Sequence, residues 1–209
     1  MVWRIVLSVA IGYLLGCFSG AEFIGKRFAH INIREYGSGN PGTTNMLRTA
    51  GLKYAVPTLV IDVVKAVLAS LIGMWLVGGT LGAAIGGYAC ILGHSFPVFK
   101  KFKGGKGVAA FAGVMIVLNP LLGSILLVLG LVLNVLVKVY SVVSIFGTLF
   151  AAICFTIFSG GDIPSIVFMW VMVVQSVIMH RENILRLFKG TESKIDPFGK
   201  GEKKKRDLR

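Results

Sequence analysis

Between Gly93 and Gly107, four lysines and four glycines fall within fifteen residues. Lysine supplies positive charge, and glycine lets backbone N–H groups come close to an anion with no side chain in the way. A helix predicted to begin at Val108 would aim the positive end of its dipole at the same place. The chemistry that suits such a loop is phosphate binding. Lys106, held between Gly105 and Gly107 at that helix start, is the best phosphate ligand of the four, with Gly104 and Gly105 completing the cradle. Lys100 and Lys101 are explained as charges that set membrane topology.

Two further polar stretches carry groups of the same kind. From Gly37 to Arg48, glycines alternate with small hydroxyl and amide residues around Pro41. Tight turns of that composition direct donors inward, and Ser38, Gly39, Asn40, Thr44 and Asn45 are the candidates. Arg48 would add a bidentate grip on phosphate. The plainer account is a turn resting on lipid headgroups. In the third stretch, His180 and Asn183 share a helical face three residues apart. Ser141 and Ser144, at the end of an apolar run, would supply hydroxyls to the same place. His94, which opens the central loop, is a further substrate-binding candidate, with a plainer role as an interfacial hydrogen-bonding residue.

Several chemistries are disfavoured. Gly104-Gly105-Lys106 is similar to the end of a nucleotide phosphate loop, but Gly107 stands where serine or threonine should follow, and no strand precedes it. Neither histidine has partners at zinc spacing, so no metal is expected. The glycine–x–serine–x–glycine of serine hydrolases is absent. Cys17, Cys90 and Cys154 lie singly in apolar runs and read as small buried hydrophobes.

The elements that must position these residues are apolar. Of 209 residues, 55% are hydrophobic and 15% charged, with a mean hydropathy of +0.80. The apolar residues lie in long runs, which marks an all-α integral membrane protein. Ile5 to Ile24 reads as a retained span, followed by Ala55–Val77, Leu81–Leu92, Val108–Leu118, Pro120–Val137, Ile145–Phe158 and Pro164–Met179. The uncharged stretch Val108–Val137 would make ~45 Å of helix, too long for one crossing. Asn119-Pro120 divides it. The expectation is a compact bundle of about seven transmembrane helices, two of them short (Leu81–Leu92 and Val108–Leu118). One domain covers residues 1–193, and a basic, disordered tail covers 194–209.

The net charge of +13 does not point to nucleic acid, because the lysines flank spans and face anionic lipid. With the N-terminus outside and the C-terminus cytoplasmic, almost all basic residues fall inside, and all three polar stretches meet on the cytoplasmic face. Asp62 and Lys65, at i and i+3 within a span, read as a neutralising pair inside the bundle.

Taken together, Gly37-Ser38-Gly39-Asn40-Pro41-Gly42-Thr43-Thr44-Asn45, Gly93-His94 with Pro97-Val98-Phe99 and Lys103-Gly104-Gly105-Lys106-Gly107, and His180-Arg181-Glu182-Asn183-Ile184 resemble the PlsY family. These are bacterial acyl-phosphate:glycerol-3-phosphate acyltransferases. All three motifs stand in the family's order, and the resemblance runs to about Glu192. It implies a seven-helix bundle of the bacterial inner membrane, with the site facing the cytoplasm. The implied reaction transfers a fatty acyl group from acyl phosphate to the sn-1 hydroxyl of glycerol 3-phosphate, without a cofactor, in a monomer surrounded by membrane lipid. Carried over by motif, Ser38, Thr44, Asn45 and Arg48 would cradle acyl phosphate. Lys106, Ser144, His180 and Asn183 would hold glycerol 3-phosphate, with Arg48 and Lys106 able to serve either phosphate. Lys106, His180 and Asn183 would be the catalytic residues, and His180 or the acceptor's own phosphate would take the hydroxyl's proton. The histidine–x4–aspartate signature of other glycerol-phosphate acyltransferases is missing: Phe99 and Leu185 stand where its aspartate would. The rival reading is a transporter or channel for an organic phosphate, which should show inverted repeats and broken helices near the midplane. The sequence shows no repeat.

Overall fold

The computed structural model describes residues 1–199 and 201. Among them, ten α-helices follow in order: α1 (Val2–Cys17), α2 (Gly20–Ile24), α3 (Thr43–Ala50), α4 (Leu52–Val77), α5 (Gly79–Ser95), α6 (Val108–Leu118), α7 (Pro120–Val137), α8 (Tyr140–Phe158), α9 (Ile163–Met179) and α10 (Arg181–Phe188). Every predicted apolar segment is helical, except that Ile5–Ile24, expected as one run, is broken at Phe18-Ser19, where the chain turns extended and Ser19 caps α2. Five helical stretches are long and apolar enough to cross a membrane, or six if α9 and α10 form one span bent by 60°.

Punctuation residues end the helices where the sequence predicts. Asn119 separates α6 from α7 and caps the latter, its side-chain oxygen accepting from the Leu122 N–H at 3.1 Å, with Pro120 in the first turn. Asp162 caps α9 in the same way, accepting from the Ser165 N–H. The segment Leu81–Leu92 proves longer than its apolar run. α5 has 17 residues and continues through a short turn to Lys100 as a unit of 22. Hydropathy stops at Gly93, but the backbone does not, because His94 and Ser95 are buried in protein and do not face lipid. α6 keeps the 11 residues expected of a short helix.

Small residues determine how closely the helices pack. A methyl group on Gly73 of α4 would strike the carbonyl of Gly82 on α5, and one on Gly82 would strike the carbonyl of Gly73. Gly16 of α1 rests on the Cys90 carbonyl in the same manner. Backbones so close gain dispersion contacts that larger side chains would prevent, which is how helices associate where no water drives them together. The outward faces, such as Val60, Val64 and Leu68 on α4 and Leu121, Ile125 and Val128 on α7, are exposed and apolar. Hydrocarbon suits them; water does not.

Two apolar clusters fill the interior. The larger joins α4, α5, α6, α8 and α9 through residues such as Ala69, Ile91, Val114, Phe155 and Met169. The smaller lies beneath the polar loops and includes Ile33, Met46, Leu47 and Ile195. Ile195 is buried, and its N–H donates to the Lys138 carbonyl at 2.9 Å. The packed body therefore reaches past residue 193, the expected start of the tail. Lys200 and residues 202–209 of that tail lie outside the described residues.

Candidate active site

α7 packs loosely. Only Gly123 and Leu126 of its 18 residues are buried, and a cleft of about 1610 Å³ runs from the polar loops down between α6, α7 and α8. Every site residue predicted from sequence borders this cleft except Gly105. The three motifs, far apart in the chain, share one cavity with a polar mouth and an apolar trough.

Gly105 does not meet the cleft because it is buried over His94: a Cβ there would collide with the imidazole Nε2. Its neighbour Gly104 lies against the last turn of α5. The Gly104 N–H donates to the Ser95 carbonyl and the Gly105 N–H to the His94 carbonyl, both at 3.0 Å. This seats the loop so that Lys106 points into the cleft. α6 then begins with Gly107 at φ +82° and no side-chain cap, so its first N–H groups are available to an anion.

The Gly37–Asn45 loop is organised from behind. Asn45 accepts from the Ser38 N–H at 2.9 Å and donates to the carbonyls of Ile33 and Tyr36 at 3.2 and 3.0 Å. Both its N–H donors are therefore engaged by the chain. Asn45 braces the loop, where the sequence led us to expect a donor for substrate. Gly37 and Gly39 both take positive φ in the turn it holds. α3, like α6, has no side-chain cap, so a second set of free N–H groups opens on the same mouth. Arg48 leans across to Ser193 Oγ at 2.9 Å.

The third motif lies at the 60° bend. His180 Nδ1 lies 2.9 Å from the Ser176 carbonyl, which fixes the proton on Nδ1 and leaves Nε2 as the acceptor. Burial, with Lys106 nearby, lowers the pKa of His180 to about 4, so the ring is neutral. Lys106 donates to Asn183 Oδ1. Its own pKa falls to about 8, first through burial and then through repulsion by Arg186. Ser144 Oγ donates to the Tyr140 carbonyl of its own helix, and Ser141 Oγ donates to Glu192 at 2.8 Å.

Glu192 is the residue that motif reasoning missed. Its carboxylate accepts from Ser141, from Asn183 Nδ2 at 2.6 Å and from Arg186 Nε at 2.7 Å. Burial alone would raise its pKa, but donation from Asn183, Arg186 and Ser141 outweighs that and holds it below the ordinary value. Arg186 could have been found by spacing, since it lies three residues after Asn183 on the same helix. Glu192 could not, because it returns to the site only after the chain reverses at Gly190 (φ +66°).

A family model described as glycerol-3-phosphate acyltransferase matches residues 6–190. A relative of that name from Thermoanaerobacter sp. is 44% identical over 190 residues, covering 91% of this chain and 95% of the relative. Another, from Streptococcus mutans, is 36% identical over 203 residues, covering 94% and 95%. The crystal structure of PlsY (YgiH), described as an integral membrane glycerol 3-phosphate acyltransferase, in its glycerol 3-phosphate form, matches with a TM-score of 0.83. Identity is 32%, over 91% of this chain and 95% of that one. The lysophosphatidic acid form matches with a TM-score of 0.82 at 31% identity. The chain belongs to the glycerol-3-phosphate acyltransferase family.

Proposed function

We propose that this protein transfers an acyl group from acyl phosphate to the sn-1 hydroxyl of glycerol 3-phosphate, giving lysophosphatidic acid and inorganic phosphate. The observation that carries the reading is the shape of the cleft: two uncapped helix N-termini with Arg48 and Lys106 at its mouth, and an apolar trough behind. Two phosphates and one fatty chain are what such a cavity can take together. The relatives' names and the two ligand forms of PlsY support the acceptor and the product.

In this reading Ser38, Gly39, Asn40, Thr44 and Arg48 hold the donor's phosphate, with the acyl chain in the trough toward lipid. Lys106, Asn183, His180 and Ser144 hold the acceptor. The sn-1 oxygen attacks the acyl carbonyl carbon, the carbon–oxygen bond to phosphate breaks, and inorganic phosphate leaves. An acyl phosphate is a mixed anhydride with a good leaving group, so positioning and donors facing the developing oxyanion suffice. The proton goes to the acceptor's own phosphate, whose second pKa is ~6 for a phosphate monoester. His180, at about 4, is the weaker base; its Nε2 accepts from the hydroxyl and orients it. The N-terminus lies outside, the site faces the cytoplasm of a bacterial cell, and the working unit is a monomer.

The test is phosphate release by purified protein given palmitoyl phosphate and glycerol 3-phosphate, without metal or coenzyme A. Acceptor-dependent release with matching lysophosphatidic acid is expected. Intact substrates, together with glycerol 3-phosphate uptake into liposomes holding the protein, would favour transport instead.

A further inference from the structure

Beneath the glycine-rich loop, inside the bundle, lies a charged cluster that the chemistry above does not use. Lys65 of α4 contacts Asp62 Oδ1 at 2.8 Å, the Phe18 carbonyl at 2.7 Å and His94 Nδ1 at 2.8 Å. The Gly16 carbonyl stands a little farther off, at 3.3 Å, so the ammonium's three N–H bonds are shared among four acceptors, of which these three are the nearest. All three side chains of the cluster are at most 6% exposed. Burying an ion pair is costly, and apolar replacements of similar volume are often as stable or more so. Stability alone is therefore a poor account of this cluster. Nor is the carboxylate fully used for holding the fold, since Asp62 Oδ2 has no partner among the described residues.

The geometry has a direction. An ammonium can only donate, so His94 Nδ1 must accept, and the ring proton must sit on Nε2. That nitrogen faces Gly105, whose missing side chain leaves room for the ring. The same histidine's carbonyl receives the Gly105 N–H, and the next carbonyl, of Ser95, receives that of Gly104. Ring and carbonyl together set the height and tilt of the backbone immediately before Lys106. The Phe18 carbonyl, at the break between α1 and α2, anchors the lysine from the other side.

We infer that Asp62, Lys65 and His94 are positioning residues for glycerol 3-phosphate. The ion pair fixes the tautomer and orientation of His94. His94 in turn fixes Gly104 and Gly105, so that Lys106 and the start of α6 meet the acceptor's phosphate together. The inference rests on the proposed function, and it moves His94 from ligand to support.

The test uses full-length protein in detergent, with glycerol 3-phosphate affinity read by calorimetry and KM for each substrate read by turnover. His94→Ala removes the ring. Asp62→Asn with Lys65→Met removes the pair without leaving an unpaired charge. Each is expected to weaken glycerol 3-phosphate binding on the order of tenfold to a hundredfold, as small misplacements do, while KM for acyl phosphate stays unchanged. The triple variant should bind no more weakly than His94→Ala alone, because the pair acts through the ring. Wild-type affinity in His94→Ala would overturn the inference, as would losses that multiply in the triple variant. If the paired variant cannot be purified, isosteric Asp62→Asn replaces it, and normal affinity there is equally fatal. Failure of the unmodified protein to bind glycerol 3-phosphate would sink the functional reading instead.

Discussion

Lys106 and Asn183 are 77 residues apart in the chain and are joined by one hydrogen bond, from the ammonium to the amide oxygen. Through it the glycine-rich loop and the helix after the bend are held at one point. Lys106→Ala and Asn183→Ala should each lower kcat/KM for glycerol 3-phosphate by about a hundredfold or more, as loss of a charge-stabilising donor does. Steady-state kinetics checks this, with an unchanged gel-filtration profile showing that the bundle is intact. Most of the activity surviving in either variant would remove that residue from the site.

The lowered pKa of Lys106 has two opposite consequences. The group is cationic below about 8 and neutral above it, so KM for glycerol 3-phosphate should rise as pH increases through 8. Lys106→Arg should delay that rise, because guanidinium stays charged. Stability should move the other way. Between about 8 and the ordinary 10.5 the unfolded chain binds the extra proton, so this residue's contribution to stability grows with pH. Kinetics and thermal unfolding over the same pH series separate the two.

Glu192 receives three donors from two helices, Ser141 of α8 and Asn183 and Arg186 of α10. Glu192→Ala should destabilise the fold by about 1–3 kcal/mol, the cost of leaving donors such as Arg186 without their charged partner. Because the carboxyl is held below its ordinary value, its stabilisation is present above that ordinary value and lost as pH falls through the lowered one. Thermal unfolding followed from neutral pH down through and below the ordinary carboxylate range should show an acid limb that the variant reduces.

Gly147 borders the trough, and a Cβ placed there meets nothing within 4 Å. Gly147→Phe should therefore fold and fill the space that the proposed function gives to the acyl chain. KM for palmitoyl phosphate should increase while an eight-carbon donor (roughly half the chain, burying correspondingly less CH₂ surface) is used nearly as before. Equal effects on both donors would show that the chain lies elsewhere.

Gly82→Val tests the helix packing. With the Gly73 carbonyl in the way, α4 and α5 must separate, at a cost of about 1–3 kcal/mol. A lower unfolding temperature is expected; an unchanged one would mean the contact is not as close as described.

Much of this architecture can be read from sequence because the bilayer imposes a simple grammar. Run length and the Asn119-Pro120 break locate helices without any knowledge of their neighbours. The Asp62–Lys65 pair was legible at i, i+3; its third member, His94, is 29 residues away and only packing reveals it. Asn45 misleads for a related reason. A buried amide in a glycine-rich turn can face ligand or backbone, and composition does not distinguish the two. Glu192 lay beyond reach because a chain reversal, with no spacing rule behind it, returns it to Asn183.

The loose seam along α7 leaves the trough bordered by a helix that buries only two of its residues. On the proposed chemistry, the two products have opposite solubilities. Inorganic phosphate diffuses from the mouth into water, while the new single-chain lipid slips sideways into the bilayer leaflet. Each departs into the phase that holds it, so the reverse reaction would need both to return from different solvents at once. The fall from mixed anhydride to ester sets the direction, and partitioning clears both products from the cleft with no moving part required to expel either.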